Sequence, residues 1–213
     1  MTFPAYFVQP PRIATRLINL FTPAGDGESI RGDLLEEFSH LASNSGVAFA
    51  RRWYWRQTVK TIAHLVSAGF RVAPWSTSTA VIGGFLLLPL AFRLQERATF
   101  AVLERYHVPD HHFGAYAFFA TDGLIIGRFF LSMIVGCVIA LVAKGREMVA
   151  TTMLGLLLCA MTGAAVPVLV ARGQGFLLLW TLPWQFACWG AIVIGGAIVR
   201  THRSASTTHP SDA

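Results

Sequence analysis

Four side chains able to ligate a metal fall close together at His107, Asp110, His111 and His112. Imidazole nitrogens with a carboxylate form a donor set that suits Zn. Adjacent histidines do not readily share one ion, and no second run of His, Cys, Asp or Glu offers the remaining ligands. The segment therefore reads as a polar turn, with a ligand- or metal-sensing loop as its alternative use. Cys137, Cys159 and Cys188 all lie in apolar stretches with no C-x-x-C pair, so they read as packing residues. Neither G-x-x-x-x-G-K-[ST] nor G-x-S-x-G occurs, and Ser, His and Asp form no triad pattern. The expectation is a protein that is not an enzyme and has neither metal site nor cofactor.

A second constellation is denser. Gly32-Asp33-Leu34-Leu35-Glu36-Glu37-Phe38 is followed, twelve residues on, by Arg51-Arg52-Trp53-Tyr54-Trp55-Arg56-Gln57. Carboxylates at Asp33, Glu36 and Glu37 can pair with guanidinium groups at Arg51, Arg52 or Arg56, either within the chain or on a partner. An exposed pair of this kind contributes only ~0.2–1 kcal/mol, so its value lies in orientation more than in stability.

The elements that carry these residues follow from periodicity. Pro10-Pro11 opens a first helix with Ile13, Leu17, Leu20 and Phe21 at helical spacing. Pro23 to Gly27 breaks it, and Asp26 can cap the next helix. The spacing predicts a second helix over 28–43, with Ile30, Leu34, Phe38 and Leu41 on one face, stopped at Asn44-Ser45-Gly46. It predicts a third over 47–71. Trp55, Val59, Ile62, Ala63, Val66 and Phe70 form its apolar face, and Arg56, Lys60, His64 and Arg71 lie opposite. A basic polar face, an apolar face and the anchors Trp53, Tyr54 and Trp55 describe a helix lying in a membrane interface; packing on the first two helices is the alternative.

Beyond Pro74 the chain is mostly membrane. Hydrophobic residues make up 54% of the 213, and charged residues 13%, about half the usual share of soluble domains. Mean hydropathy is +0.53. Residues 148–171 and 173–199 contain no charged side chain, and each exceeds the ~20 residues that cross a bilayer. Four spans are expected, at 75–92, 123–143, 148–170 and 176–199, with a separate helix over 93–106. The net charge of +6 is concentrated at the ends of apolar segments, which favours anionic lipid over nucleic acid. Most Lys and Arg fall on the side of the termini and the Lys144 loop, so both termini are expected in the cytoplasm. Arg128, near the start of the second span, is expected at the interface, its long stem reaching toward water. The spacings Gly123 to Gly127, Gly155 to Cys159, Ala160 to Ala164 and Ala191 to Gly195 would let helices approach closely. The predicted fold is all-α: a helical module over 1–71, a four-helix transmembrane domain over 72–200 and a disordered tail over 201–213.

Pro10-Pro11-Arg12, the Gly32 to Phe38 run and Ala50 to Gln57 together resemble the permease prefix domain. That domain stands at the N-terminus of certain bacterial MacB/FtsX-like ABC transporter permeases. The matching positions are Asp33, Glu36, Glu37, Trp53, Tyr54, Trp55, Arg56 and Gln57, and the resemblance covers about residues 10–70. Such permeases continue with a large extracytoplasmic domain between their first two spans, whereas only about 30 residues separate those spans here. The resemblance implies a prefix-like cytosolic module on a short bacterial inner-membrane protein. The expected role is an accessory or regulatory component of a transport system, partnered by the bilayer and by another membrane protein or a second copy. A small oligomeric transporter or channel and a membrane sensor are the alternatives. For a conduit, Thr151, Thr152 and Thr162 are the polar candidates within the spans.

Overall fold

The computed structural model describes residues 9–22, 27–108 and 112–207. Among them every regular element is helical, and the chain divides into two compact units, Met1–Val72 and Ala73–Ala213.

The first unit holds three helices: α1 (Arg12–Phe21), α2 (Gly27–Ser45) and α3 (Val47–Val72). Gly46, with φ 88°, makes the left-handed turn between α2 and α3, a conformation that costs glycine little. The core is small: Ala14, Ile18, Leu34, Phe38, Ala50 and Tyr54. Phe38 and Tyr54 meet edge to face, their ring centres 5.7 Å apart. The Tyr54 hydroxyl lies 3.2 Å from Thr15 Oγ1, so the buried ring keeps a partner for its polar end. The proposed cap at Asp26 lies outside the described residues.

The second unit holds α4 (Pro74–Arg105), α5 (Phe113–Phe118), a π-helical turn (Phe119–Gly123), α6 (Leu124–Val142), α7 (Glu147–Ala171) and α8 (Gly175–Thr207). Four helices are long and apolar enough to cross a membrane: Pro74–Arg105, Phe113–Val142, Glu147–Ala171 and Thr181–Arg203. Their number is the expected four, and together they support a multi-pass membrane protein. Ala80, Leu88, Val135, Ile139, Leu154 and Ile192 lie at the centre of the packing.

Two boundaries differ from expectation. The separate helix over 93–106 does not exist; α4 runs unbroken from Pro74 to Arg105 with Pro89 inside it. No Gly or Pro interrupts residues 90–108, and Leu94, Gln95, Glu96, Arg97 and Ala98 are good helix formers, so nothing stops the helix where the charges begin. The tail expected to be disordered from 201 is helical as far as Thr207, because Arg203 is tied to Glu147 and no helix breaker occurs before Pro210. Residues 208–213 lie outside the described ones.

Close helix approach is concentrated where α6 crosses α8. A Cβ on Gly136 would collide with the Ile192 backbone, and one on Gly195 with the Met133 carbonyl oxygen. The small-residue spacing finds Gly195 but not Gly136, which belongs to none of the repeated pairs.

Candidate functional site

The charged constellation of the first unit is displayed and unspent. Asp33, Glu36 and Glu37 are exposed on α2, and Arg51, Arg52 and Arg56 are exposed on α3. Among the described residues no ion pair joins the two sets. The cause is the packing register. Leu34 and Phe38 of α2 and Ala50 and Tyr54 of α3 fill the shared core, which turns the charged positions away from it. Spacings of three and four residues put Asp33, Glu36 and Glu37 on one face of α2, where like charges repel by roughly 0.2–0.5 kcal/mol per pair.

The aromatic run is divided among three environments. Tyr54, expected at the membrane interface, is instead a core residue with 1% of its surface exposed. Trp53 is half-buried against the same core. Trp55 remains at the surface, 39% exposed. The reason is angular. Ala50, Tyr54 and Thr58, spaced by four residues, form the face that meets α1 and α2, about 100° from the face through Trp55. The Thr58 hydroxyl donates to the Tyr54 carbonyl at 2.8 Å, which lets a polar residue sit inside this contact. Arg71 is exposed near the end of α3.

Arg128 is held rather than free. Its guanidinium lies 3.5 Å from Glu96 Oε2, with its central carbon 5.6 Å from the centre of the Phe92 ring. Beside it, the Gln95 amide donates to the Leu124 carbonyl at 3.1 Å, and Gly127 leaves the space that the Gln95 side chain fills. The sequence marks Arg128 but not Glu96 or Gln95, because both partners belong to the stretch assigned to a separate helix. A second ion pair is not marked at all. Glu147 is buried at the start of α7, accepts the Gly145 backbone N–H at 3.0 Å and binds Arg203 of α8. A glutamate beside a Lys-Gly-Arg loop looks like a solvated residue until the return of α8 places an arginine over it.

The histidine segment is only partly described. His107 and His112 are exposed, and Asp110 and His111 lie outside the described residues. Among the described residues no three His, Cys, Asp or Glu side chains gather as metal ligands do. Of the threonines, Thr151 donates to the Glu147 carbonyl of its own helix at 2.9 Å. Thr152 Oγ1 is buried without a partner. Thr162 lines a groove of about 290 Å³ between α4, α7 and α8, together with Phe85, Leu158, Met161, Leu178 and Gln185.

No family model, curated protein or solved structure matches the chain. The resemblance to the permease prefix domain therefore stands on the residues quoted for it.

Proposed function

We propose that the chain is a non-enzymatic accessory or regulatory subunit of a membrane transport system of the ABC-permease type. In this reading it resides in a bacterial inner membrane with both termini in the cytoplasm. The observation that carries it is a contrast in how charge is used. In the second unit, Arg128 pairs with Glu96 and Arg203 with Glu147. In the first unit, Asp33, Glu36 and Glu37 form one exposed acidic face that repels itself and pairs with none of the exposed arginines of α3. A self-repelling face lowers stability in isolation and is compensated when cationic groups of a partner meet it. The same residues belong to the prefix-like motif.

Purification from native membranes tests the proposal, with the acidic face intact and with Asp33→Lys, Glu36→Lys and Glu37→Lys combined. Co-isolation of an ATPase or permease with the intact chain, lost in the triple variant, supports it. A pure homo-oligomer that carries substrate-dependent flux in liposomes rejects it in favour of a transporter.

A further inference from the structure

Beside the face that carries Tyr54, α3 has a second apolar face that is open at its N-terminal end, at Trp55 and Val59, and closed further on, where Val66 is 8% exposed. Trp55 is 39% exposed and Val59 63% exposed, one turn apart on that face. At 100° per residue, Arg51 and Arg52 precede Trp55 within about 60° of it on either side, and Arg56 lies about 60° from Val59. All three basic side chains are exposed. Throughout its 26 residues α3 carries no Asp or Glu. The open end of the face is thus an apolar strip with a tryptophan, framed by guanidinium groups on a helix free of opposing charge.

We propose that this face docks on the anionic surface of the bilayer that the chain itself enters. Trp55 and Val59 insert at head-group level, and Arg51, Arg52 and Arg56 bind lipid phosphates. Indole at the interface, flanked by basic groups, is the chemistry that an anionic bilayer selects. The chain supplies proximity as well: α3 ends at Val72 and the first membrane-length helix begins at Pro74. The acidic face of α2 is a separate surface, so lipid docking and the proposed partner contact can coexist. The inference rests on the membrane reading of α4 to α8, not on the accessory role.

The test uses the full chain with Cys137, Cys159 and Cys188 replaced by alanine, reconstituted at one copy per nanodisc. A nitroxide is placed at Val59→Cys or, as a control about 140° around the helix, at His64→Cys. In phosphatidylcholine–phosphatidylglycerol discs the Val59 label should be shielded from a water-soluble nickel relaxant and accessible to oxygen, while the His64 label stays open to nickel. Phosphatidylcholine alone, or Arg51→Glu with Arg52→Glu and Arg56→Glu, should return the Val59 label to water. Each arginine at an anionic surface is worth about five-fold, so removing the three attractions lowers the docked-to-free ratio on the order of 100-fold. A Val59 label equally open to nickel in both lipids overturns the proposal, even though insertion of the spans into the disc would leave the membrane reading intact. Shielding that survives charge reversal, or that arises only when two copies share a disc, also overturns it. The substituted residues all lie outside the unit's core, and helical circular dichroism checks that each variant is folded.

Discussion

Replacing Gly136 with alanine should damage the second unit more than its size suggests. The added Cβ would overlap the Ile192 carbonyl oxygen and carbonyl carbon, and these belong to a helix backbone that cannot rotate away as a side chain can. Helix α6 would have to move off α8, which loosens the packing around Val135, Ile139 and Ile192. Overpacking of a well-filled contact costs about 1–3 kcal/mol, against which alanine recovers about 1 kcal/mol of helix propensity. Gly163→Ala supplies the internal reference: its Cβ meets nothing within 4 Å, so only the propensity gain of about 0.4–1 kcal/mol should remain. The two variants should thus differ by roughly 1–3 kcal/mol in opposite directions around the wild type. Steric trapping in bicelles, or unfolding in mixed micelles followed by tryptophan fluorescence, measures that difference. Equal stabilities for Gly136→Ala and Gly163→Ala would refute the backbone contact between α6 and α8. Combining Gly136→Ala with Gly195→Ala should cost less than the two singly, because one displacement of the helices accommodates both methyl groups.

Other outcomes follow from the two ion pairs and the module core. Arg203→Ala takes the arginine partner from the Glu147 carboxylate, of which 5% of the side chain is exposed, and should cost about 1.5–3 kcal/mol by the same unfolding assay. Arg128→Gln should cost about 1 kcal/mol or less, since both members of its pair are more than 40% exposed, and the loss should shrink as salt is added. Phe38→Ala should lower the stability of the first unit by about 3–5 kcal/mol, read from protease resistance of residues 12–72 in the full chain. Trp55→Ala, outside that core, should stay within about 0.5 kcal/mol in the absence of anionic lipid.

Helices α1 to α3 and the spans were legible because both signals are local. Ile30, Leu34, Phe38 and Leu41 repeat at helical spacing, and the length of a charge-free run decides whether it can cross a bilayer. What was not legible depends on contacts between residues far apart in the chain. Glu147 and Arg203 are separated by 56 positions, and Gln95 meets Leu124 across 29. Nothing near either residue announces its partner. Tyr54 and Trp55 illustrate the limit within one element. Both are amphipathic aromatics in one run, and helical phase marked only the face through Trp55 as apolar. Only the packing of Phe38 and Thr15 on Tyr54 shows which face became core. Charge was read correctly as type but not as use: Arg128 and Arg203 are bound within the chain, whereas Arg51, Arg52 and Arg56 are displayed.

The distribution of buried residues along α7 has a mechanical consequence. Glu147, Met148, Ala150, Thr151, Leu154 and Gly155 are buried, and none from Leu156 to Ala171 is. The helix is anchored at one end, and the stretch from Leu156 to Ala171, about 24 Å long at 1.5 Å per residue, is held by half-buried contacts such as Leu158 on the core and the groove shared with α4 and α8. A tilt of about 10° about the buried end would carry the turn at Arg172–Gln174 through about 4 Å, opposed by the half-buried packing of Leu158 and not by any fully buried side chain of that stretch.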